Sequence, residues 1–199
     1  MSNFTDFFPA ASGGGGGGIP KYQDFTSSGT FTPTQALIDA GGRVAYFIVG
    51  GGERGEVGLY GHGGAGGQVK MGYATLTSTT GCAVTIGSGG SGSNNAAGGA
   101  SSIAFNSAGG TAVTANGGDG NALSSNNSSP GGHGHYWNAY MSASTSAGSG
   151  VLGYGIGGSA YSDVTFHGSG IETGGANTGH GSRGGENAGS GFVRITWFE

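Results

Sequence analysis

The sequence predicts an all-β protein: a β-sandwich-like core of short strands, joined by long glycine-rich loops or polyglycine-type helices. Three observations lead there. Glycine fills 51 of 199 positions, far above the roughly 7% of ordinary usage, so a repetitive or closely packed backbone is the first expectation. Collagen does not fit, because no third-residue glycine register is kept and only 4 prolines occur. Disordered chains pair low hydrophobicity with high net charge, whereas this one is 34% hydrophobic, carries 10 Phe, 8 Tyr and 2 Trp, and has a formal charge of only −4. Short apolar runs separated by glycine turns then give the strands of a sandwich.

The elements follow in order. Residues 1–20 read as an arm: three Phe in MSNFTDFFPAAS, six glycines at 13–18 as a flexible tether, then Ile19-Pro20. The remainder, 21–199, reads as one glycine-rich β domain. In YQDFTSSGTFT, 22–32, apolar and polar residues alternate around Ser28-Gly29, which predicts two short strands and a turn, ended by Pro33. TQALIDAGG, 34–42, predicts a helical turn stopped by glycine. RVAYFIV, 43–49, is apolar on both faces and predicts a central strand. QVKMGYATL, 68–76, puts Val69, Met71 and Tyr73 on one face; CAVTIG, 82–87, SIAF, 102–105, and TAVTA, 111–115, add further strands. From about 116 to 191 the chain is mostly Gly, Ser, Ala and Asn, a loop-dominated region. FVRITWF, 192–198, alternates again and is expected to close the sheet. Val44, Tyr46, Ile48, Val84, Ile86, Val193, Ile195 and Trp197 are the expected core.

Glycine at this density costs backbone entropy unless the missing side chains are exploited. The expected use is close approach: nearly side-chain-free extended or three-residue-per-turn segments lying against each other and hydrogen-bonding directly. The spacing Gly50, Gly52, Gly55 after the 43–49 strand matches a dinucleotide-binding turn. That motif needs a helix directly after it and an acidic residue about 20 positions on. EVGLYGHGGAGGQV is interrupted by too many glycines to be that helix, and no acidic residue stands near position 75, so nucleotide binding is set aside.

Composition excludes other classes. Six Lys and Arg scattered over the chain do not make a phosphate-binding surface, so no nucleic-acid partner is expected. The single cysteine, Cys82, reads as a small buried strand residue. No apolar stretch approaches the ~18–20 residues of a membrane span, and MSNFTDFFPA lacks the basic start and apolar core of a signal peptide. There is no GxSxG, and the ten acidic residues are dispersed without a recognisable catalytic pair, so neither a serine hydrolase nor a glycan-cleaving enzyme is expected.

The ordered motifs FTSSGTFTPTQALIDAGGRVAYFIVGGG, GGAGGQVKMGYATL, CAVTIGSGG, SSIAFNSAGGTAVTANGGDG and GSGFVRITWF make residues 22–199 resemble the glycine-rich domain of bacteriophage tail proteins, including tail fibre and tail tip components. The resemblance implies a non-enzymatic virion component near the host-facing end of a tail, often in a symmetric assembly such as a trimer, extracellular after release. It implies no cofactor and no catalytic residue. Its partners would be other tail proteins, through the arm, and a host surface glycan or outer-membrane protein. A minor tail protein that only connects or decorates its neighbours is the alternative; an ice- or surface-binding protein is disfavoured because no regular Thr array is visible.

Site candidates follow from where large side chains interrupt the glycine pattern. Phe4, Phe7 and Phe8 are the expected anchor to the tail, since exposed aromatics in solution are a liability. His133, His135, Tyr136, Trp137 and Tyr140, within Ser124 to Met141, are the expected receptor contacts, because loops on a rigid scaffold carry binding residues. The aromatics offer rigid amphipathic area, or else fold back into the core, Trp137 most readily. His133 and His135 could meet a transition metal about a threefold axis, but as plain exposed loop histidines they need none. His62, His167 and His180 read as surface residues.

Overall fold

A computed structural model describes residues 18–56, 63–107, 110, 112–119, 176–182 and 186–199. Among the described residues eight strands are formed: β1 Pro20–Phe25, β2 Gly29–Phe31, β3 Arg43–Val49, β4 Val69–Thr75, β5 Cys82–Thr85, β6 Ser101–Ala104, β7 Ala112–Ala115 and β8 Phe192–Phe198. They build two antiparallel four-stranded sheets, ordered β1-β8-β3-β4 and β2-β5-β6-β7. The all-β expectation holds.

Two details differ from it. β1 and β2 do not pair with each other: β1 pairs with β8 and β2 with β5, so the bend at 26–28 carries the chain from one sheet to the other. β8 does not close an edge. It lies between β1 and β3, its alternate residues Val193, Ile195 and Trp197 facing the second sheet beside Ile48, Tyr46 and Val44.

The main core sits between the sheets, and a smaller buried cluster, Phe47, Val49, Val69 and Phe192, lies on the outer face of the first sheet at its bundle end. Val44, Ile48, Val193, Ile195 and Phe25 from the first sheet meet Phe31, Cys82, Val84, Ile103 and Ala115 from the second, with Tyr46, Ile86 and Trp197 packed against them. All eight residues expected from the sequence belong to this cluster. Ring contacts cross the gap: Phe31 meets Trp197 edge-on at 5.2 Å between centroids, and Tyr46 meets Phe105 at 5.5 Å. Gly72 of β4 is where the Tyr46 ring lies, so this strand position has no room for a side chain.

One helical turn, α1 Gln35–Asp39, seals an end of the sandwich. Thr34 caps it by accepting a 3.1 Å hydrogen bond from the Leu37 amide, and Leu37 plugs the core. Gly42, at φ 67°, ends it by donating to the Leu37 carbonyl at 2.8 Å.

The outer face of the first sheet carries a row across all four strands. Tyr22, Thr196, Ala45 and Tyr73 stand side by side in register, so two tyrosines on the edge strands flank a floor of small residues. The Arg194 guanidinium lies 5.0 Å from the Tyr22 ring centre and also pairs with Asp24 at 2.6 Å; Arg43 lies 4.8 Å from the Tyr73 ring centre. Val69, Met71 and Tyr73 do share one face, as alternation requires, but it is this outer one, and Met71 and Tyr73 are exposed.

Glycine builds the second half of the molecule. Segment 50–54, directly after β3, donates backbone hydrogen bonds in rotation: Gly50 to Gln68, Gly51 to Gly99, Gly52 to Gly189, Glu53 to Ala65 and Arg54 to Ala96. Residues 50 and 53 thus reach segment 63–68, residues 51 and 54 reach 96–99, and 52 reaches 188–191. A partner that recurs every third residue is the signature of an extended helix with three residues per turn and no internal hydrogen bonds. The carbonyls of the same segment accept from three others: Gly51 from Gly118, Gly52 from Gly90 and Glu53 from Ser182.

Segment 50–54 is therefore surrounded by six neighbours, and these bond to each other in a closed ring. Segment 63–68 joins 116–118 through Gln68 to Asn116; that joins 96–99 through Gly98 to Gly118, which joins 87–90 through Gly99 to Ser88. Segment 188–191 bonds 87–90 through Ala188 to Gly90 and Gly191 to Gly87, and meets 178–182 through Gly189 to His180. Segment 178–182 returns to 63–68 through Gly64 to Ser182 and Gly67 to Gly179. Donors from the centre go to the three segments running opposite to it, and its acceptors serve the three running with it.

Hexagonal packing of this kind leaves no space for Cβ atoms. A side chain at Gly50, Gly51 or Gly52 would fall on the carbonyl of Asn116, Ser88 or His180, one on each of the three parallel neighbours. This is why the run after β3 is Gly-Gly-Gly. Among the described residues the expected close backbone approach is realised in 116–118, 178–182 and 188–191, and it also recruits 50–54, 63–68, 87–90 and 96–99.

Candidate functional site

The two halves give the molecule direction. β3 runs from Arg43 into the bundle at Gly50, and β8 runs from the bundle at Gly191 out to Phe198. Ile19, the residue before β1, bonds to Glu199 through its amide at 2.9 Å. The chain therefore enters the fold at the end of the sheets farthest from the bundle, and the turns between glycine segments lie at the other end.

Those turns are where the glycine pattern breaks. The connection 91–95, Ser-Gly-Ser-Asn-Asn, is exposed throughout and tightened by Gly92 at φ 83° and Asn95 at φ 55°, both in the left-handed region that Gly and Asn tolerate. Arg54, the last residue of the central segment, reaches out to donate from Nη1 to the Gly92 carbonyl. Asn95 Nδ2 donates to Glu56 Oε2 at 3.5 Å, and Ser182 Oγ donates to the Glu186 carbonyl at 2.5 Å. Just below, the fully buried Glu53 accepts at 2.8 Å from the Ala65 amide through Oε2, filling a gap in the lattice that glycine would leave. The resulting end surface is polar: hydroxyls, amides and the carboxylates of Glu56, Glu186 and Asp119. It can recognise a ligand by hydrogen bonding along loops whose bases are fixed by backbone bonds. No group of three or more His, Cys, Asp or Glu suited to a metal occurs among the described residues.

The anchor candidates Phe4, Phe7 and Phe8 and the receptor candidates His133, His135, Tyr136, Trp137 and Tyr140 lie outside the described residues, as do His62 and His167. The described residues before and after the receptor candidates end at Asp119 and resume at Ala176. His180 is half-buried, and its backbone belongs to the bundle, the carbonyl accepting from the Gly189 amide. Sequence reasoning passed over Arg54, Glu56 and the 91–95 turn. The signal was present in GGERGE and GGSGSNNAAGG, where polar residues sit between glycine runs.

The opposite end is held by charge. Glu199 accepts from Lys21 Nζ on β1 and from Thr34 Oγ1, the helix cap. The bond from Lys21, then that from Thr34, hold its carboxyl below the usual range. Cys82 is buried, as expected, and burial pushes its thiol above the ordinary value.

Comparison with protein-family models, with curated proteins and with solved structures finds no match to this chain.

Proposed function

We propose that this protein is a non-enzymatic phage tail component, a tail fibre or tail tip protein that contributes to host attachment. The observation that carries the reading is the polarity of the fold: the arm enters at one end and the glycine bundle holds its turns at the other. A chain that enters at one end and presents turns at the other suits attachment to a host surface. The bundle suits exposure outside a cell, because its backbone groups are paired with each other and few side chains are left to attack. The turn 91–95 supplies polar edges, and Tyr136 and Tyr140 are the candidates to supply aromatic faces, for a surface glycan or an outer-membrane protein.

The test is made on particles. Deleting residues 1–12 should leave a folded domain that no longer joins the tail. Replacing Tyr136 and Tyr140 with Ala should abolish adsorption to the host while particles still assemble. Adsorption unchanged by the double replacement would overturn the adhesive role of that loop and favour a protein that only joins or decorates its neighbours in the tail.

A further inference from the structure

We infer that the arm of the free protein folds back onto the outer face of its own first sheet, with Phe4, Phe7 and Phe8 against the row from Tyr22 to Tyr73. Away from the bundle this face carries an unusual load of exposed apolar side chains for a chain this polar: Tyr22 is 66% exposed, Tyr73 48%, Phe198 45% and Met71 44%. Such a patch on a soluble domain marks a contact surface. The chain enters beside it. Gly18 is packed within reach of the Phe198 side chain and the Glu199 backbone, and Pro20 stands opposite Phe198 in the sheet register.

The tether has the right length. Gly18 and Phe8 stand ten positions apart, and glycine fills six of positions 9–18. A flexible linker of that size has a root-mean-square span of ~17 Å and a fully extended reach of ~35 Å. The face from β1 to β4 covers three inter-strand spacings, or ~14 Å. The phenyl groups can therefore reach every part of the row, at an effective concentration in the millimolar range, so that even a weak contact is populated.

Charge favours the same occupant. Arg194 is paired with Asp24, but Arg43 lies over Tyr73 with no acidic partner among the described residues. Asp6 stands between Phe4 and Phe7-Phe8, so an arm seated over Tyr73 places a carboxylate beside the free guanidinium. The three arm phenylalanines and the sheet patch are two liabilities of the unassembled chain, and each covers the other. Release of the arm then accompanies its engagement by a partner, whatever that partner is.

Met71 reports on the contact. In the full-length chain, the rate of Met71 oxidation by hydrogen peroxide, read by peptide mass spectrometry, should be at least ~3-fold lower than in the variant Phe4→Ser, Phe7→Ser, Phe8→Ser, with Asp6→Asn intermediate. The substitutions lie outside the described residues, and an unchanged circular dichroism spectrum verifies that the fold is intact. Equal Met71 rates in the full-length chain and the triple variant would overturn the inference. Protection that fades on dilution would overturn it too, because it would place the arm on a second copy.

Discussion

Replacing Gly52 with Ala tests whether the hexagonal lattice holds the bundle together. The new Cβ would stand 2.7 Å from the amide nitrogen of Gly181 and closer still to the carbonyl of His180, whereas real Cβ contacts under 3.0 Å essentially never occur. The obstructing atoms are backbone, fixed by their own hydrogen bonds, so segment 50–54 must move. It then strains the bond from the Gly52 amide to Gly189 and the bond from the Gly90 amide to Gly52, both 2.8 Å. Overpacking in a filled interior costs ~1–3 kcal/mol, and two weakened backbone bonds add ~1 kcal/mol each. Alanine returns ~0.4–1 kcal/mol by restricting the unfolded chain. The net expectation is a loss of ~2–4 kcal/mol. Gly29→Ala is the matched control: its nearest neighbour, the Phe25 ring, would be 3.5 Å away, an ordinary contact, so it should be neutral or slightly stabilising. Urea unfolding of both variants, compared at constant slope, gives the numbers. A loss below ~0.5 kcal/mol for Gly52→Ala would mean that the segments do not pack backbone to backbone.

Ile48 is fully buried between the sheets, so Ile48→Ala should cost ~2–5 kcal/mol in the same assay, and a change under ~0.5 kcal/mol would deny β3 its central place. The Glu199 carboxyl is held below its usual range mainly by Lys21 and Thr34. A depressed folded value means stability that is present above the ordinary carboxylate range and is lost as pH falls through the folded value. Lys21→Ala should therefore raise the Glu199 titration midpoint, followed by NMR, and weaken the acid dependence of unfolding; an unmoved midpoint would remove Lys21 as the cause. Cys82, buried with its thiol raised, should react with Ellman's reagent only at the rate of unfolding, and rapid reaction in the native state would mean that the second sheet opens locally.

Alternation of apolar and polar residues determined a large part of this protein from sequence alone. Val193 and Ile195 announce their strand by alternation, and Val44 and Ile48 theirs by the apolar run RVAYFIV; in both, a period of two puts one set of side chains on one face whatever the partner. Thr34 and Gly42 likewise mark the start and end of the one helical turn through local chemistry. Pairing was another matter. Nothing within PKYQDF or GTF says that the first joins β8, some 170 residues away, and the second joins β5, because either strand satisfies its own pattern in either sheet. Glycine hides even more. Gly51 and Gly52 have no side chain to carry a period, so their sequence says only that something approaches closely. The identity of that neighbour is fixed by backbone hydrogen bonds to Gly99, Gly118, Gly90 and Gly189, segments that meet only once both sheets have brought their ends together.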